Sequence, residues 1–433
     1  MKNAQITRQL FFFFRLFRPL VAGVLLAVVA LPVGAVELKT SDGNWTFSIS
    51  GNVNVHYIYS ECEDSTTPTV AGGLACQGTL SGSNVSNISN GLLPAAFSFG
   101  VTTTQNGIDI GAHLGLYPGI VANDGGSPNL QQTATAVGTN TALATTGLDV
   151  RQVYLTFGNK EMGTFTLGRN IGLFGADVIL NDMTLPGVGV AGGSSGAAPA
   201  NTTLGSIGLG YIYTDWLAQI DYTTPEISGF SFTVGIFDPI NSIGDAGTTA
   251  GKKAPGIHGK LSDTVDLGGG SKLYFSVAAL EQKQDHVVGA TTFDYDGTGI
   301  DVFVKWTWTA LEAFGYYYHG DGLGTTGLFV NSSDGVGNKR SSSGYMAQAT
   351  YKFGDLKLGA NYGVSKLDCA GGTDGGCNGT LLVEKNRKVT VGGYYSLTKN
   401  LTLLAEVSDV HADAQSGASN HSKNGNVGAF FSF

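Results

Sequence analysis

From Trp45 to its end the chain alternates apolar and polar residues with a period of two, and no 3.6-residue stripe of useful length competes. In Trp45-Thr46-Phe47-Ser48-Ile49-Ser50 and Val53-Asn54-Val55-His56-Tyr57 the odd positions are apolar or aromatic. The pattern returns in Phe230-Ser231-Phe232-Thr233-Val234, Leu273-Tyr274-Phe275-Ser276-Val277, Val302-Phe303-Val304-Lys305-Trp306, Leu356-Lys357-Leu358 and Leu401-Thr402-Leu403. Such runs are strands with one apolar and one polar face. Their connections alternate in length. Short ones are Gln105 to Gly107, Pro225 to Gly229, Thr309 to Ala313, Gly354-Asp355 and Thr398 to Asn400. Long ones are Glu61 to Leu93, Pro118 to Gly147, Asn170 to about Ser206, Asp238 to Ala254, Glu281 to Thr298, Asp321 to Ser342, Leu367 to Val383 and Ala412 to Lys423.

These long connections divide the chain into about 16 strands, an even number joined by alternating turns and loops. A soluble barrel of that size would enclose more space than side chains can fill. The apolar face must therefore point outward into lipid, and the polar face must line water. Closure leaves no unpaired edge, which is what allows β structure in hydrocarbon. The fold class is all-β: a 16-stranded antiparallel transmembrane β-barrel with short periplasmic turns and long outer loops. Aromatics at strand ends (Trp45, Tyr57, Tyr59, Trp306, Trp308, Tyr316 to Tyr318, Tyr395) suit an interfacial girdle.

Composition closes off other classes. The 433 residues include 65 glycines, and only 13% are charged. Ten per cent aromatics argue against disorder. One apolar stretch alone is long enough for a spanning helix, which excludes a polytopic helical protein. A net charge of −9 without a Lys/Arg run argues against nucleic acid. The one long apolar stretch is N-terminal. Lys2, Arg8, Arg15 and Arg18 precede the run Pro19 to Ala30, and Val33 and Ala35 stand at −3 and −1 of a signal-peptidase site. Residues 1–35 are accordingly expected to be a cleaved signal peptide, and 36–433 the barrel domain.

The four cysteines fall in two local pairs, Cys62 with Cys76 and Cys369 with Cys377. Three connectivities are possible. Two loop disulfides are favoured in an oxidising compartment; a metal site is disfavoured, because neither pair has CxxC spacing or a nearby histidine.

Three segments resemble the general Gram-negative outer-membrane porins of the trimeric 16-stranded type. They are Arg151-Gln-Val-Tyr-Leu-Thr-Phe-Gly-Asn-Lys-Glu-Met-Gly-Thr-Phe-Thr-Leu-Gly-Arg169-Asn170, Tyr222-Thr-Thr-Pro225-Glu-Ile-Ser-Gly-Phe230, and the terminal Val427-Gly-Ala-Phe-Phe-Ser-Phe433. The resemblance implies a water-filled channel in the outer membrane for passive diffusion of ions and small hydrophilic solutes. It also implies a homotrimer, contact with outer-membrane lipid and lipopolysaccharide, and a signal at Phe431 and Phe433 for the barrel-assembly machinery. The third long loop is then expected to fold inward and place Asp177 and Asp182 at the constriction.

Strand parity asks independently which charges face the lumen. It selects Lys260, Lys272, Lys305, Lys352, Lys357 and Lys388, with Asp109, Asp221, Asp301 and Glu406. Lys305, mid-strand, is the basic constriction candidate. Arg151 and Arg169 are included at the constriction although parity points both at lipid, since a bulge or the adjoining loop could turn them. His56, His113, His258 and His319 are also read as lumen-lining.

No enzyme is expected, since no nucleophile elbow or HExxH pattern occurs. No cofactor or metal is expected either: Gly187-Val-Gly189-Val-Ala-Gly192 lacks the strand and helix of a dinucleotide fingerprint, and Asp294-Tyr-Asp296-Gly297 lacks the remaining ligands of a calcium loop. The alternatives to open diffusion are a substrate-selective channel and, further off, a plugged receptor or adhesin. Acidic outer loops suggest a mild cation preference that weakens with salt.

Overall fold

The computed structural model describes residues 35–63, 69–76, 85–120, 148–190, 202–245, 247–249 and 252–433. The expected signal peptide, except Ala35, and residues 121–147 of the second long loop lie outside them.

Among the described residues there are nineteen strands in one sheet. They are β1 (Val36–Lys39), β2 (Trp45–Cys62), β3 (Val85–Ser89), β4 (Ala96–Gln105), β5 (Ile108–Pro118), β6 (Leu148–Asn159), β7 (Gly163–Ile171), β8 (Trp216–Thr223), β9 (Phe230–Phe237), β10 (Thr248–Thr249), β11 (Gly256–Gly268), β12 (Ser271–Val288), β13 (Thr291–Trp308), β14 (Leu311–Asp321), β15 (Ser341–Phe353), β16 (Leu356–Leu367), β17 (Val383–Ser396), β18 (Leu401–Ala414) and β19 (Ser419–Ser432). A six-residue helix, α1 (Ala176–Asn181), interrupts them. Leaving aside the short β1, β3 and β10, sixteen strands form a closed antiparallel barrel. Closure is made by β19 against β2, in register from Asn52↔Ser432 to Cys62↔Ser422.

The period-two reading is visible in the exposures. On β2, Val53, Val55, Tyr57 and Tyr59 are exposed while Asn52, Asn54, His56 and Ser60 are buried. On β13, Ile300, Val302, Val304, Trp306 and Trp308 are exposed and Asp301 is buried. An apolar exterior around a polar interior inverts a soluble core, as a lipid-facing wall requires. The tight turns follow their residues. Asn106 and Gly107 have φ of 52° and 79°, the two left-handed positions of a two-residue hairpin.

Four boundaries differ from the sequence reading. Ala412 to Lys423 is not a long loop, because β18 and β19 pair to Asp413↔Ser419 and only residues 415–418 turn between them. Glu281 to Thr298 is not a long loop, because β12 and β13 pair to Val288↔Thr291 as strands of 18 residues. The third long loop, hereafter L3, ends at Asp215 rather than near Ser206, since β8 begins at Trp216. In the first hairpin, β4 pairs with Trp45 to Asn52 and β3 with His56 to Ser60 of the same strand, so residues 90–95 leave the wall between them.

Candidate functional site

L3 enters the barrel at residue 172 and is tied along the inner wall from β11 to β18. Asp177, in the first turn of α1, receives Lys260 Nζ at 3.2 Å, Tyr274 Oη at 2.9 Å and Ser276 Oγ at 2.5 Å. Asp301 accepts the backbone N–H of Gly175 at 2.6 Å. Asn181 receives Lys305 at 2.9 Å, and its carbonyl takes the Gln348 amide at 2.8 Å. Asp182, 3% exposed, accepts from Tyr211 Oη at 2.9 Å and Asn361 at 3.3 Å.

Farther along, Glu406 accepts the N–H groups of Val188 and Gly189, each at 2.9 Å, Tyr394 Oη at 2.7 Å and Asn426 at 3.0 Å. Lys388, 1% exposed, donates to the Gly205 carbonyl and Ser206 Oγ, both at 2.7 Å. Two glycines permit the close approach. A β-carbon on Gly187 would overlap the Glu406 carboxylate, and one on Gly363 would overlap the Leu209 carbonyl. Residues 90–95 add a second hold, with Leu92 N–H on the Gly187 carbonyl at 2.8 Å and Thr203 N–H on the Gly91 carbonyl at 3.1 Å.

At the long-loop end the first loop also turns in. Val70, Leu74 and Ala75 pack with Val190 and Leu209 of L3 and with Val383, Val410, Ala412 and Ala414 of the wall. The Cys62–Cys76 disulfide closes this loop, and Cys369–Cys377 closes the loop between β16 and β17. The latter is clasped to the loop between β14 and β15: Arg340 Nε and Nη2 meet Asp374 at 2.7 and 2.9 Å, both side chains being buried. Those hydrogen bonds hold the Asp374 carboxyl below its ordinary value. A depressed carboxyl pKa stabilises the clasp above the unfolded value of about 3.9 and stops doing so as pH falls through the folded value. Amide exchange in these loops, corrected for its intrinsic pH dependence, is therefore expected to stay slow from neutrality to pH ~5 and to quicken only below ~4. Quickening between pH 7 and 5 would contradict the assignment.

The structure brings together Asp177 with Lys260, and Lys305 with Asn181 and Glu312, the last at 3.5 Å. It does not set the acids of L3 across an open gap from a free basic wall. Lys260 and Lys388 are anchors of L3, and Asp301 and Glu406 are its acceptors. Lys272 and Lys352 are exposed at the short-turn end, where Lys352 pairs directly with Lys357. Lys357 in turn lies 4.9 Å from the Tyr394 ring centroid. Asp109 accepts from Thr104 at 2.7 Å beside the first short turn, and Asp221 is buried at inward parity on β8.

The two arginines part company. Between Gly115↔Gln152 and Leu116↔Val150 the register of β5 and β6 shifts, leaving Arg151 as the extra residue of a bulge. It is buried, 2.5 Å from Asp149 and over the Tyr117 ring at 5.1 Å. Arg169 is a correction. No shift occurs where it pairs with exposed Val153, so it stays on the outward face and lines no constriction. His319 is a second correction, standing outward and exposed beside Tyr317. Sequence reasoning missed Tyr274, Ser276, Gln348 and Tyr394. Each lay at inward parity, but nothing in its own stretch marked it as meeting L3.

Across the lumen from the anchors, the wall of β4 to β8 presents hydroxyls. Thr102, Thr156 and Thr166 occupy one inward row through Thr102↔Gly111, Gly111↔Thr156 and Thr156↔Thr166, and Asp221 continues it.

Solved structures share this architecture. The outer membrane channel DcaP of Acinetobacter baumannii is similar at TM-score 0.64 and 16% identity, covering 92% of this chain and 99% of that one. OprB of Pseudomonas putida, in its high-pH structure, gives TM-score 0.54 at 10% identity over 89% and 94%. OmpF of Salmonella typhi in complex with daunomycin gives 0.51 at 13% over 92% and 100%. At such identities the likeness concerns the fold. No curated protein matches by sequence. A family model described as Gram-negative porin matches residues 21–415. Family and fold point to a channel rather than an enzyme. With nearly its whole length matched and its barrel closed, the chain belongs to the Gram-negative porin family and is an outer-membrane channel for passive diffusion.

Proposed function

We propose that ions and small hydrophilic solutes pass between L3 and the threonine-bearing wall of β4 to β8, and that the chain catalyses no reaction. The observation that supports this route is where the side-chain anchors of L3 lie: Asp177, Asn181, Asp182, Val188 and Gly189 are all bonded to strands from β11 to β18, and the further hold by residues 90–95 is through backbone bonds at Gly187 and Thr203. Asp177, Lys305 and Arg151 then shape the edge of the passage, Asp182, buried against Tyr211 and Asn361, holds L3 to the wall, and Lys272, Lys352 and Lys357 line the short-turn mouth. The protein works as a homotrimer after removal of residues 1–35, with Phe431 and Phe433 serving assembly.

Purified protein in a planar bilayer tests the reading. Stepwise conductance in groups of three, linear with salt, is expected. Conductance blocked by one solute class would favour the selective-channel reading, and folded protein without conductance would overturn the open passage. Intact mass of the exported protein checks cleavage after Ala35.

A further inference from the structure

On the outward face, beyond the last apolar exterior residues of the barrel seam, three side chains converge. Val407 is 65% exposed and Val427 55% exposed, marking the apolar wall. Beyond them the outward positions are Asp409 and His411 on β18 and, past Gly425, Lys423 and His421 on β19. His411 and His421 are direct cross-strand partners with stacked rings, centroids 3.9 Å apart and planes within 9°. Asp409 bridges them, with Oδ1 2.8 Å from His411 Nε2 and Oδ2 3.0 Å from His421 Nε2. From β2's end, Glu63 Oε2 reaches His421 Nδ1 at 2.5 Å.

His421 is thus held by a carboxylate oxygen at each ring nitrogen. A neutral imidazole has one N–H and one lone pair. With Nδ1–H donated to Glu63, Nε2 and Asp409 Oδ2 would set lone pair against lone pair. Only a cation between them relieves this, either a proton or a metal ion. The rest of the arrangement suits the metal. Two imidazole nitrogens and a carboxylate oxygen lie within 4.8 Å of one another, against roughly 3.3 Å for ligand atoms around a tetrahedral zinc. A histidine ligand ordinarily donates its other N–H to a carboxylate, which is the part Glu63 plays. The side chains keep partial exposure, 44% for Asp409, 32% for His411 and 21% for His421, so an ion has access. Neighbouring charges on the same face are largely paired: Lys385 with Asp413 at 2.9 Å, and Lys423 with Glu63. Arg387, opposite His411 in register, and Glu61 complete the surround.

We propose that Asp409, His411 and His421 bind a divalent transition ion of the zinc and copper class, with Glu63 fixing the His421 tautomer. Imidazole with carboxylate favours these ions over magnesium or calcium. The ligands come from β18 and β19 and the supporting carboxylate from β2, so the ion clamps the strands that close the barrel.

The test is zinc titration by calorimetry on untagged full-length protein folded in detergent, with Cu2+ electron paramagnetic resonance as a second readout. Expected are one zinc per chain, no displacement by excess Ca2+ or Mg2+, and a copper spectrum with two coordinated nitrogens. H411A and H421A should each weaken binding by at least tenfold, and E63Q by about tenfold. Unchanged channel conductance shows each variant is folded; where an alanine variant fails that check, D409N takes its place. Absence of zinc binding by the wild type, or equal binding by H411A/H421A, would overturn the proposal.

Discussion

Replacing Glu406 by alanine should raise single-channel conductance and destabilise the protein by about 3–5 kcal/mol, while glutamine should leave conductance near wild type. Glu406 is 2% exposed and takes four donors, two of them backbone N–H groups of L3. Each buried donor left without a partner costs about 1–3 kcal/mol. Water from the lumen would reach some of them, which holds the total well below the four-donor maximum. What water cannot restore is the position of L3, because the carboxylate joins Val188 and Gly189 to β18 directly.

Glutamine retains an acceptor oxygen for Val188, Gly189 and Asn426. Its amide nitrogen faces Tyr394 Oη, which can turn from donor to acceptor. The remaining loss is that of charge-assisted bonds, about 1–2 kcal/mol. Single-channel recording and urea unfolding of the two variants check this pair of results. Equal conductance in wild type and E406A would show that L3 is not held at its Val188 end by this residue.

The barrel was legible in the sequence because the pleat has a strict period and the two sides of the wall meet different solvents. Every outward slot from Val53 to Tyr59 had to be apolar or aromatic, and its neighbours, apart from the inward Ile58, are polar. The signal fails where that asymmetry ends. Lys283, Gln284, Asp285 and His286 extend β12 beyond its apolar band, so the hairpin to Val288 carries no alternation to read. L3 misleads in the opposite way. Ile207, Leu209, Tyr211 and Tyr213 alternate like a strand, yet they lie in turns and isolated bridges, the first three buried and Tyr213 half-buried.

For the site, parity gave direction but not depth. It turned Lys260, Lys388 and Glu406 inward, but their partners are more than 80 residues away in the chain and come from a loop without regular period. A bulge moved Arg151 inward and nothing moved Arg169. The difference lies in one skipped pairing between β5 and β6, which no local residue type announces. In Tyr316-Tyr317-Tyr318 the aromatic run masks the phase, and His319 follows Tyr317 to the outside.

Changing Lys272, Lys352 and Lys357 together to glutamine is expected to shift ion selectivity toward cations, by about threefold in permeability at low salt. All three stand at inward parity near the short turns. Lys352 and Lys357 are cross-strand partners, and Glu312, half-exposed, offsets only part of their charge. A permeating ion about 8 Å from each lysine interacts with it by about 0.5 kcal/mol in water, hence about 1.5 kcal/mol for three. Screening at 0.1 M, where the Debye length is about 10 Å, roughly halves that to about 0.7 kcal/mol, a factor of about three. At 1 M the Debye length falls to about 3 Å and the shift should nearly vanish. L3 itself should stay in place, because its anchors Lys260, Lys305 and Lys388 are untouched. Zero-current potentials across a salt gradient, measured from both sides, decide the matter. A potential unchanged from wild type at low salt would mean that these lysines are solvated at the rim and outside the ion's path, whereas an equal shift at 1 M would point to a disturbed barrel.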